Sequence, residues 1–95
     1  MGAVTHTMKW EKIPGALGNS SGYQLCFVEQ ATNAAVADND ILTFKNVSDV
    51  QALSLQSEVG LAIAYDAVAT TAGKQYTVNA TTAATYIKGL AFIKE

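Results

Sequence analysis

GLAIAYDAVATTAGKQYTVNATTAATYIKGLAFIK, residues 60–94, sets small and apolar residues against Thr, Tyr and Lys in near alternation, with few charges. A period of two suits paired β-strands that present one face to a core. Within it, Leu61 to Val68 reads as a strand with Leu61, Ile63 and Tyr65 on one face. Residues 69–75 hold Gly73 and read as a hairpin-type turn. Tyr76 to Ala80 reads as a strand, Thr81 to Ala84 as a second turn or irregular edge. Thr85 to Lys94 reads as the closing strand, with Tyr86, Lys88, Leu90 and Phe92 opposite Ile87, Gly89, Ala91 and Ile93. A glycine inside that strand marks a bulge or a close backbone approach.

Toward the N-terminus, Ser48 to Gly60 is ambiguous. Ser48 with Gln51 fits a capping box and Gly60 fits a helix stop. Val50, Leu53, Leu55 and Val59 fit a helical stripe only in part, and Leu53 with Leu55 also fits a strand face. The segment reads equally as a short helix or a strand. Ile41 to Val47 is a strand, and Ala31 to Asp40 a connection in which Asp38-Asn39-Asp40 favours a turn. A calcium loop needs further ligands and a glycine at set spacing, which are missing. Tyr23 to Glu29 is a strand with Tyr23, Leu25 and Phe27 on one face. Cys26 and Val28 make its other face apolar too, as in a strand covered on both sides. Residues 13–22, IPGALGNSSG, carry turn chemistry.

Val4, His6, Met8 and Trp10 alternate with Thr5, Thr7, Lys9 and Glu11. Residues 1–12 therefore read as a strand or an extended arm, which either covers the domain's own core or docks on a neighbouring subunit. Residues 13–95 read as a single β-rich domain. The expected fold is mostly β: a small sandwich or barrel of six or seven short strands, with at most one short helix near 49–59.

Composition narrows the function. The chain has 95 residues, a size that fits one domain. Only 15% of residues are charged, against roughly 25% in ordinary globular proteins. A polar, weakly charged surface suits a subunit that works within an assembly. All six cations are Lys, and the net charge is −2. Arg is the usual bidentate reader of phosphate and guanine, so its absence argues against nucleic-acid partners and phosphoryl chemistry. Cys26 is the only cysteine and forms no internal disulfide; it reads as a buried, inert thiol. MGAVTHTMKWEK lacks a basic segment followed by an apolar one, and no run reaches the roughly 18–20 apolar residues of a membrane helix. No membrane partner is expected, and folding in a cytoplasm is.

Reactive groupings are missing from the pattern. His6 is the single histidine, so neither a zinc cluster nor a Ser–His–Asp arrangement has its parts on a well-held element. Asp66 lies in an apolar strand, where burial would raise its pKa; a solvated edge position is the plainer reading. Gly15, Gly18 and Gly22 lack the Lys-Ser/Thr of a phosphate loop. The N-x-S/T triplets at Asn19, Asn46 and Asn79 match glycosylation acceptors by chance in so Asn- and Thr-rich a chain. The expectation is a chain that is not an enzyme and uses no metal or cofactor. Trp10, Tyr23, Tyr65, Tyr76 and Tyr86 leave open a carbohydrate- or ligand-binding β module.

Gly60 to Ile93 resembles, in composition and rhythm, the strand–turn–strand segments of small head decoration (cement) proteins of tailed bacteriophages. The resemblance covers about a third of the chain. It implies a virion structural protein, a compact β domain that binds the capsid lattice as a homo-oligomer, with a trimer favoured, assembled in the host cytoplasm. A tail or fibre-attachment subunit is the alternative within the same class. The candidate interface residues are Met8, Trp10, Tyr23 and Tyr86.

Overall fold

The computed structural model describes residues 4–15, 22–68, 74–79 and 86–95. Seven strands follow one another with no helix among the described residues: β1 (Thr5–Lys12), β2 (Gln24–Gln30), β3 (Ile41–Phe44), β4 (Asp49–Gln56), β5 (Tyr65–Ala67), β6 (Gln75–Val78) and β7 (Lys88–Lys94). They form one sheet in the order β4-β7-β2-β1-β3-β6-β5. Only β1 and β3 run parallel; the other neighbours are antiparallel. The sheet curls into a half-barrel around a single core.

Period-two alternation sorts the side chains. Met8, Cys26, Val28, Leu42, Phe44, Val50, Leu55, Tyr76, Val78, Ala91 and Ile93 all point inward and are buried. Residues 5–12 form a strand between β2 and β3, so this segment lies in the middle of the sheet. The pairing β1–β3 is non-local and parallel, and the connection from β2 must cross one end of the half-barrel. Two buried polar side chains secure that crossing. Gln30 is 1% exposed; its amide N–H groups reach the carbonyls of Thr32 and Ala34 (3.4 and 3.1 Å), and its carbonyl accepts from the Ile87 N–H. Asp40 is 6% exposed and accepts from the N–H groups of Val4 (3.1 Å) and Ala37 (3.0 Å), with the His6 ring 2.9 Å away. Burial alone pushes the Asp40 carboxyl up. The Ala37 amide, the His6 ring and the Val4 amide outweigh it and hold the pKa below the ordinary carboxylate value.

The ambiguous segment 48–60 holds strand β4 over Asp49–Gln56, with a turn after it, and a bulge explains its helical look. Opposite β7, the register slips between Gln51 and Ser54. Ala52, at φ 53°, takes the extra position and is exposed. The bulge turns the inward spacing from two residues to three between Val50 and Leu53, which imitates a helical stripe. Gly89 makes the close approach possible: a Cβ there would stand 1.8 Å from the Ser54 carbonyl oxygen.

Leu61 to Val68 departs from a full strand. Residues 57–61 form a turn with Gly60 at φ 83°, in which the Ser57 hydroxyl accepts from the Leu61 N–H (3.2 Å). The chain then runs back beside β4, with the Ile63 N–H bonded to the Leu55 carbonyl (3.0 Å), before pairing with β6 as β5. Leu61 is 62% exposed, whereas Ile63 and Tyr65 pack on the core. This return covers the C-terminal end of β4's outer edge, near Leu55 and Gln56, which would otherwise present unpaired backbone groups. The Tyr65 hydroxyl donates to the Leu53 carbonyl and the Tyr76 hydroxyl to that of Val50 (3.3 Å). The rings of Tyr65 and Tyr76 meet edge-on at 5.0 Å. The two ends of the sheet are thereby tied together. Of the turn expected at 69–75, residues 69–73 lie outside the described residues and Gln75 already opens β6; the turn expected at 81–84 lies wholly outside them.

Candidate functional site

The outward side chains of β1, β2, β7 and β4 fall on a regular grid. Glu11, Phe27, Leu90 and Ser54 stand in one row across the four strands. Lys9, Glu29, Lys88 and Gln56 stand in the next, and Leu25, Phe92 and Gln51 in the row on the other side. Each row exists because alternate residues of a strand share a face. The middle of this grid is apolar. Phe27 is 56% exposed and Leu90 40%, side by side, with Leu25 and Phe92 half-buried behind them. A groove of about 500 Å³ runs along this pair, with Glu11, Glu29, Ser54, Gln56 and Lys88 at its margins. The strand expected to be covered on both faces is thus covered only on the Cys26/Val28 side; the Phe27 side is open.

The charges around the strip differ in their local partners. Lys9 Nζ lies 3.0 Å from a Glu29 carboxylate oxygen, and the Tyr86 hydroxyl donates to the same carboxylate. The hydrogen bonds from Tyr86 and Lys9 hold the Glu29 carboxyl below its usual range, and the tie to Glu29 raises the Tyr86 phenol. Glu11 and Lys88 make no ion pair of their own among the described residues.

The four residues singled out from the sequence are dispersed. Met8 is 2% exposed and belongs to the core. Trp10 is half-buried against that core, its indole N–H directed at the Lys45 carbonyl (3.3 Å). Tyr23 donates to Asp49, accepts from Gln51 Nε2 (3.1 Å) and carries the Lys94 ammonium 5.9 Å from its ring centre. Tyr86 sits at the opposite end of the sheet with Glu29, its N–H on the Glu58 carboxylate (3.1 Å). The strip that the fold does assemble, Phe27 with Leu90, was signalled only by β2 and β7 each carrying apolar residues on both faces. Asp66, on an exposed position of β5, accepts from the Asn79 amide.

No cluster of three or more His, Cys, Asp or Glu side chains is arranged to hold a metal ion among the described residues. Cys26 is fully buried, and burial pushes its thiol up, away from the reactive thiolate. Comparison with protein-family models, with curated proteins and with solved structures gives no match.

Proposed function

We propose that this chain is a non-enzymatic structural subunit of a virion, a head decoration protein that attaches in many copies to a phage capsid lattice and stabilises it. The observation that carries the reading is the outward strip of Phe27, Leu90, Leu25 and Phe92 on a sheet whose ends are tied together. Contiguous apolar surface rimmed by polar residues marks an interaction site. A sheet face positions such a strip with little side-chain entropy left to lose on docking. The low charge content and the resemblance of residues 60–93 to decoration proteins point the same way. Attachment to a repeating lattice lets weak single contacts add up to firm binding.

Co-sedimentation tests this. Purified protein is mixed with tailed-phage particles from the source culture and spun through a density cushion. The chain is expected to pellet with the particles and to saturate at a fixed number of copies. A chain that stays in the supernatant while binding a defined glycan overturns the reading in favour of a ligand-binding module.

A further inference from the structure

The open strip is complementary to itself. Neighbouring strands stand about 4.8 Å apart and alternate residues of a strand about 6.8 Å apart, which fixes the grid of outward positions. Phe27 and Leu90 are adjacent in one row. Glu11 flanks them from β1, and Lys88 stands one row along on β7. Glu11 and Lys88 thus lie at the two ends of a diagonal of roughly 12 Å across the groove. A two-fold axis in the plane of the face, perpendicular to this diagonal at its midpoint, exchanges the two. The same axis brings Phe27 over Leu90 and Lys9 over Glu29, each to within about 3 Å of register.

We propose that this face is an isologous interface with a second copy of the chain, in which Phe27 of each copy packs on Leu90 of the other and Glu11 of each pairs with Lys88 of the other. One axis makes three matches at once: apolar on apolar, and opposite charges at both margins. Self-complementarity is what a two-fold interface requires. The charges around the strip are two of each sign, Lys9 and Lys88 against Glu11 and Glu29, so the face offers little net field to a strongly charged foreign partner. Glu11 and Lys88 feel Lys9 and Glu29 only at a distance and close no ion pair among the described residues, which leaves both within reach of a partner. The inference rests on the structural-subunit reading and assigns the strip to contact between copies within the assembly, so that the lattice is met by another surface of the paired subunits. It is measured without particles, so it can fail while lattice attachment stands, and the reverse.

The test is sedimentation velocity on wild type, Glu11→Lys, Lys88→Glu, the double variant and an equimolar mixture of the two single variants. Wild type is expected to form a dimer with a dissociation constant on the order of 10 µM. Each single variant puts two like-charge contacts in the dimer and weakens it at least about tenfold. The double variant and the mixture both restore two opposite-charge contacts and recover dimerisation. Both positions are exposed, so thermal melts are expected to match wild type. Wild type supplies an independent check: zero-length carbodiimide coupling of mixed isotopically light and heavy protein should join Glu11 to Lys88 between copies. A monomeric wild type, a trimer, a mixture no tighter than its components, or the lack of that cross-link each overturns the two-fold interface.

Discussion

Replacing Gly89 with Ala tests the way the half-barrel is put together. The added Cβ would lie 1.8 Å from the Ser54 carbonyl oxygen, 2.9 Å from its carbon and 3.1 Å from the Leu55 Cα. All three obstacles are backbone, so no side chain can swing aside, and β4 must move off β7 at the bulge. Overpacking of this kind costs about 1–3 kcal/mol. Separation also weakens one or two ladder hydrogen bonds near Leu55 and Ser54, at about 1 kcal/mol each. The sum is about 3 kcal/mol. A domain of this size loses roughly 4–8 °C in melting temperature per kcal/mol, so a fall of about 12–24 °C is expected. Gly60→Ala is the control. Gly60, unlike Gly89, has positive φ (83°), and nothing lies within 4 Å of a Cβ there, so only the conformational cost of about 1 kcal/mol applies. The assay is a thermal melt by circular dichroism, with urea denaturation to obtain the free energy. If Gly89→Ala lies within about 0.5 kcal/mol of wild type, or costs no more than Gly60→Ala, the close approach of β4 to β7 is wrong.

Three further outcomes follow from buried groups. Asp40 has a lowered folded pKa, so its stabilisation is complete above the unfolded value of about 3.9 and is lost as pH falls through the folded value. Asp40→Asn should flatten that acid limb in pH-dependent urea melts, and an unchanged limb contradicts the Val4–His6–Ala37 clamp. Tyr76 is pushed up to about 12 by burial first, so its contribution is complete below about pH 10 and is lost as pH rises toward 12. All four phenols are raised, so absorbance titration should run late as a whole, and Tyr76→Phe should remove its last step, at about 12; the variant also costs about 1 kcal/mol for the bond to Val50. Cys26, 0% exposed, should react with a thiol reagent only at the rate of unfolding; prompt labelling of the native protein would contradict its burial.

The division of β2 and β7 into two faces was legible because alternation is unbroken there, but not which face turns inward; the structure puts Cys26, Val28, Ala91 and Ile93 inside. The glycine in β7 likewise announced a close approach. β4 resisted because the bulge at Ala52 changes the spacing of inward residues, and a pattern rule sees only spacing. Leu61 misled for a related reason. Alternation placed it with Ile63 and Tyr65, but the turn at Gly60 precedes it and leaves it outside. The place of β1 between β2 and β3 depends on a parallel, non-local pairing that carries no local mark. The outward strip was the least legible feature. Leu25 and Phe27 read as core because a two-sided apolar strand is ordinarily buried on both sides, and the sequence alone cannot say which neighbours the sheet lacks. Tyr23 and Tyr86 drew notice as aromatics, yet each is engaged with a carboxylate at an end of the sheet.

A cryo-electron-microscopy map of particles carrying the bound chain tests the central claim most directly. The account predicts density for this half-barrel at regular lattice positions in many copies per head, with loss of that density when the chain is omitted. Particles whose surface density is complete without it, with the chain left in the soluble fraction, would contradict the account.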